Sequence, residues 1–137
     1  MRDDADIRSD VRKLDMPDES ADEIMAIHLF EHLYRWDAEP TLREWFRVLK
    51  PGGRLVLELP DLHKCCANIL AGAEDRYGLF GLFGGPAGEN PLMVHKWCYS
   101  FAELRDVVRA AGFVKVKQHA PQFHKKNRDM RLEAVRP

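Results

Sequence analysis

The chain has 137 residues, a length suited to one compact domain, and its 45% hydrophobic and 31% charged content excludes collagen-like, low-complexity and disordered classes. With 21 basic against 22 acidic side chains, no global field points to nucleic acid or a membrane surface. No apolar run nears the ~20 residues that cross a bilayer, and the start Met1-Arg2-Asp3-Asp4-Ala5-Asp6 is unlike a secretory leader, which predicts a soluble, cytoplasmic protein. The charge is nevertheless split. Residues 1–23 hold nine acids and four bases, and residues 115–137 hold seven bases and two acids. The basic end reads as a solvated face or a partner for the acidic end, not as a nucleic-acid patch. Cys65, Cys66 and Cys98 form an odd set without C-x-x-C spacing, so reduced thiols are expected.

In chain order, Glu23-Ile-Met-Ala-Ile-His28 is a short apolar run after the turn-forming Pro17-Asp18-Glu19-Ser20, and predicts a buried strand. Asp37 is the expected N-cap of a helix over 38–49, with Leu42, Trp45, Phe46 and Leu49 on one face. Pro51-Gly52-Gly53 stops it, and Arg54 to Leu59 predicts a strand covered on both faces. Asp61 then caps a second helix whose inner side is expected to carry Leu62, Cys65, Cys66, Ile69 and Leu70.

Residues 77–99 mix glycines with Pro86, Pro91 and apolar side chains, and predict a long loop or lid. Ser100-Phe-Ala-Glu103 has capping-box spacing ahead of a helix stopped by Gly112. Residues 113–118 and 130–135 predict an antiparallel strand pair. Strands alternating with helices imply an α/β sheet, parallel at its centre with an antiparallel C-terminal pair, and ligands then bind beyond the strand ends near residues 28 and 59.

Three segments carry a resemblance: Leu14-Asp-Met-Pro-Asp-Glu-Ser-Ala-Asp-Glu-Ile24, His28-Leu-Phe-Glu-His-Leu33, and Glu44 through Leu-Lys-Pro-Gly-Gly to Pro60. Together they resemble class I S-adenosylmethionine-dependent methyltransferases, closest to the small bacterial and phage type 11-like branch. The resemblance spans nearly the whole chain as a single domain, residues 1–137. It implies an incomplete Rossmann-like methyltransferase sheet and transfer of a methyl group from S-adenosylmethionine to an O or N of a small-molecule or glycan acceptor.

Residue by residue, it makes Asp10 and Val11 candidates for the adenine edge, and His28, Leu29 and Glu31 candidates for the methionine end of the cofactor. Methyl transfer to O or N also requires a proton to leave the acceptor, work suited to an imidazole. His28, His32 or His95 could serve; His32 and His95 are the catalytic candidates, with Trp97 and Tyr99 as acceptor contacts. No metal is implied.

The family also opens with a strand, a G-x-G loop, a helix and a second strand, and nothing ahead of Asp6 matches these. The fourth strand of the family's sheet is then left with an open apolar edge. That edge predicts a homodimer, a partner chain, or pairing of residues 5–11 with 23–28. One rival is a degenerate, non-catalytic domain acting through a partner. A remote one is a zinc hydrolase, since His28-x-x-Glu31-His32 is a literal H-x-x-E-H string with Glu103 the available third ligand.

Overall fold

A computed structural model describes residues 5–86, 88 and 90–137. Asp3 and Asp4 of the acidic start lie outside the described residues. Four strands form one sheet in the order β1-β2-β4-β3, with β1 Ala21–Ile27, β2 Leu49–Pro60, β3 Val114–His119 and β4 Asp129–Val135. β1 runs parallel to β2, while β4 is antiparallel to both β2 and β3. This is the mixed sheet the alternating pattern predicts.

β2 is the hub. From Leu55 to Pro60 every residue is buried, as a continuous apolar run between two covered faces demands. Helices α1 Ala38–Val48 and α4 Phe101–Ala110 supply the core with Leu42, Trp45, Leu104 and Val108, all nearly or fully buried. α2 Leu62–Leu70 and the short α3 Leu79–Phe83 lie at the other end of β2.

Several expectations need correction. Asp37 precedes α1, yet its side chain makes no capping bond, because a 3-10 turn over Arg35–Asp37 already holds it in helical conformation. In α2, Cys65 is buried whereas Cys66 and Leu70 face outward; the inner stripe is narrower than an i, i+3, i+4 pattern suggests. The segment 77–99 is not irregular throughout, since α3 and a 3-10 turn at Pro91–Met93 interrupt it. Gly81 permits this: a Cβ there would collide with Cys65 Sγ, so α3 seats against α2 only with glycine.

Residues 5–11 do not pair with β1; Asp10 instead bridges Lys13 in a tight turn. Among the described residues β1 therefore pairs with β2 alone, and its outer edge is open. The acidic start and basic end do meet, where Arg136 donates to Glu19 at 2.8 Å. No helix is long and apolar enough to cross a membrane among the described residues.

Candidate active site

At the C-terminal ends of β1 and β2 a cleft of about 300 Å³ is lined by His28, Glu31, His32, Phe80, His95, His124 and Arg128, among others. Sheets of this kind place ligands at these strand ends. His28 leaves β1 in the left-handed region, at φ 50°, while its backbone N–H still donates to the Glu58 carbonyl at 2.8 Å. Its ring is clamped on both nitrogens. Nδ1 lies 3.0 Å from Glu31 Oε1 and Nε2 lies 2.9 Å from Asp129 Oδ2. Burial opposes charge on the ring, but hydrogen bonds to the two carboxylates outweigh it and raise its pKa to about 9. His28 is an imidazolium at neutral pH.

Asp129 is fully buried and also receives Arg128 Nε at 2.6 Å and the Lys125 N–H at 3.1 Å. Burial pushes its carboxyl up, and the His28 and Arg128 bonds bring it below the ordinary range. Glu58, on β2, is another buried carboxylate. It accepts the Gln122 and Phe123 N–H groups, at 3.0 and 2.8 Å, and Arg131 Nη1 at 3.2 Å. This single residue holds the 122–123 loop by its side chain and His28 by its carbonyl.

His95 is half-buried, and its Nδ1 lies 2.9 Å from the Gly81 carbonyl. A carbonyl only accepts, so Nδ1 carries the proton and Nε2 keeps a bare lone pair, 3.9 Å from Glu31 Oε1. Burial holds its pKa below the usual value. His32 repeats the arrangement, with Nδ1 3.2 Å from the Val94 carbonyl and its ring edge-on to His95 at 4.9 Å. The structure thus brings His28, Glu31, His32 and His95 into one cleft.

Asp10 and Val11 lie elsewhere but are tied to the same core. Trp45 Nε1 donates to the Val11 carbonyl at 2.7 Å, and the Trp45 ring packs 5.8 Å from Phe30, the neighbour of Leu29. Asp10 is exposed, and hydrogen bonds from the Arg12 side chain and N–H lower its carboxyl to about 2.

Neither Trp97 nor Tyr99 lines this cleft. Tyr99 is fully buried against Phe30, with ring centroids 5.5 Å apart, so the assignment of Tyr99 to the acceptor is corrected: it is core. Trp97 is exposed but turns to Glu103, its Nε1 3.2 Å from both carboxylate oxygens. The Glu103 carboxylate also takes Arg35 Nε at 2.7 Å, so it is no third ligand for an H-x-x-E-H site. That string itself lies at a strand end and in a 3-10 turn over Phe30–His32, not on an α-helix, and both His28 nitrogens are engaged. The helical zinc-hydrolase geometry is absent.

Sequence reasoning missed Glu58, Asp129 and Arg128. The available signal was a lone acid inside the apolar run Leu55-Val-Leu-Glu-Leu59 and an acid opening the last strand.

The sheet, with a cleft beyond β1 and β2, is an open α/β sheet like that of solved methyltransferase structures. Residues 2–57 match the family model for a methyltransferase domain. In sequence as well as in fold, the chain is similar to S-adenosylmethionine-dependent methyltransferases. It is 39% identical over 121 residues to a probable S-adenosylmethionine-dependent methyltransferase of Mycolicibacterium smegmatis, covering 87% of this chain and 38% of that protein. The chain thus spans well under half the length of this curated relative. A Thermotoga maritima S-adenosylmethionine-dependent methyltransferase, a possible histamine N-methyltransferase, aligns with TM-score 0.63 and 17% identity over 96% of this chain and 63% of its own. A Haloferax volcanii chain solved in complex with a methyltransferase activator aligns with TM-score 0.59 and 18% identity, over 94% of this chain and 60% of its own. These two likenesses concern the fold.

Proposed function

We propose that this chain acts in S-adenosylmethionine-dependent methyl transfer to an O or N of a small-molecule or glycan acceptor. The observation that carries this reading is the coupling of two candidate cofactor segments through Trp45, beside a histidine-lined cleft. The residues present fit the cofactor at two ends. The exposed carboxylate of Asp10 can accept from an adenine amine, and His28, next to Leu29, lines the cleft. The chain's glycines Gly78 to Gly88 follow β2 and offer no substitute for a G-x-G turn after a first strand.

When bound, S-adenosylmethionine supplies an electrophilic methyl group on a sulfonium. His95 takes the acceptor proton at Nε2, its ring held in the correct tautomer by the Gly81 carbonyl, and His32 is the second base of the cleft. His28, protonated and clamped, is not a base at neutral pH; it fixes Glu31 and Asp129 and so shapes the cleft floor.

The exposed pair Tyr34 and Trp36, stacked at 4.6 Å and 8°, gives a flat apolar surface two residues beyond His32 that suits a sugar ring. The test is transfer of isotopically labelled methyl groups to a panel of hydroxylated glycans and amines. Label is expected on at least one acceptor and is lost in His95→Ala; equal labelling by that variant would refute the base assignment.

The open β1 edge favours a second reading, in which a second copy or a partner chain pairs with β1. Sedimentation of the full chain tests it: a dimer supports edge pairing between copies, and a monomer that acquires no partner rejects it.

A further inference from the structure

Within the cleft, Glu31, His32 and His95 each offer one ligand atom, and these atoms all lie within 4.8 Å of one another. We propose that the three form a binding site for a divalent transition-metal ion, with Zn2+ the best match. Two imidazoles and one carboxylate are the donor set of three-ligand zinc sites, which leave a fourth position open.

Three observations converge on this assignment. The Glu31 side chain is 1% exposed, and its Oε2 has no hydrogen-bond partner among the described residues, a costly state for a buried polar group. A cation beside it removes that cost. Second, both histidines donate Nδ1–H to backbone carbonyls, His32 to Val94 and His95 to Gly81. Ligating histidines are held in this way, their outward nitrogen left bare for the metal. Third, Glu31 is itself oriented by His28 at 3.0 Å, so the carboxylate is held before any ion arrives.

The geometry requires little adjustment. Zinc bonds of about 2.0–2.1 Å to N and O bring tetrahedral ligand atoms to roughly 3.3 Å apart. His95 Nε2 is already 3.9 Å from Glu31 Oε1, and half-buried His32 has room to close the remainder. The fourth position opens on a cleft that Arg76 and Arg128 also line, which favours water, hydroxide or an anionic group there.

This site is not the H-x-x-E-H string read from the sequence. His28 is excluded, and His95 is brought in from 63 residues beyond His32 by the path through α3. The proposal does not rest on methyl transfer. It does share the His32 and His95 lone pairs with the base role above, so ion and proton compete for the same atoms.

The test is titration of the full chain with Zn2+ in competition with a chromophoric chelator, and with Co2+ monitored by visible absorption. One Zn2+ per chain is expected, with Co2+ bands of a four- or five-coordinate nitrogen-oxygen site. His32→Ala and His95→Gln should each weaken binding by at least ~10-fold, while His119→Ala leaves it unchanged; circular dichroism establishes that each variant is folded. No stoichiometric uptake, or uptake insensitive to folded His32→Ala and His95→Gln, overturns the proposal.

Discussion

Glu58→Gln tests how the cleft is assembled. The Glu58 carboxylate is fully buried and joins two backbone N–H groups of the 122–123 loop to Arg131, whose side chain is 2% exposed. A glutamine retains one acceptor for the loop but turns an NH2 toward the guanidinium, which keeps Glu133 at 2.9 Å as its remaining partner. Losing one charge-assisted bond in a buried setting costs about 1.5–3 kcal/mol, and complete removal by Glu58→Ala costs about 3–5 kcal/mol. For a domain of this size the glutamine variant should melt ~5–12 °C lower.

The loss is also pH-dependent. Burial raises the Glu58 carboxyl, yet the Gln122 and Phe123 N–H groups and then Arg131 bring it below its ordinary value near 4.5. A depressed carboxylate contributes stability above its unfolded pKa and loses it as pH falls through the folded one. Urea denaturation at pH 7 and at stepwise lower pH should therefore show wild type and Glu58→Gln converging below about pH 4.5. A gap under ~0.5 kcal/mol at pH 7, or one that persists undiminished in acid, would refute the anchoring role.

Other substitutions probe the remaining supports. Gly81→Ala forces a Cβ onto Cys65 Sγ and should destabilise by ~1–3 kcal/mol in chemical denaturation; a neutral result would mean that α3 is not seated on α2 as described. Trp45→Phe keeps the ring in the core but removes the bond to the Val11 carbonyl, with an expected loss of ~1 kcal/mol and faster proteolysis near residues 10–13. Tyr99→Phe should leave acceptor affinity unchanged, because the hydroxyl is buried without a partner among the described residues and the ring packs on Phe30; a higher KM would return Tyr99 to the acceptor.

The fold was legible where local signals and burial agree. Periodicity located α1 and α4, and the apolar run at 55–59 identified β2, because these elements bury a face whatever the tertiary detail. Asp61 and Ser100 act as caps as their side chains predict, accepting from His63 and Glu103 respectively. Periodicity misjudged α2, where Cys66 and Leu70 are apolar yet exposed.

The site was only partly legible. His28, Glu31, His32 and His95 are grouped by strand-end topology, a rule that applies before coordinates are known. Glu58 and Asp129 were invisible as a pair because 71 residues separate them, and only the β2–β4 register, with Glu58 opposite Arg131 and Pro60 opposite Asp129, brings them to the same end of the sheet. Tyr99 illustrates the converse. An aromatic next to a lid reads as a ligand contact or as core with equal ease, and packing against Phe30 decides it.

Asp10 and Val11, together with His28 and Leu29, are proposed to hold an adenosyl-methionine ligand. Isothermal titration of the full chain with S-adenosylhomocysteine tests this most directly. The account predicts saturable binding of one ligand per chain, weakened at least ~10-fold by Asp10→Ala, a loss of ~1.4 kcal/mol. A folded chain that gives no saturable heat, or binding indifferent to Asp10→Ala, would contradict it.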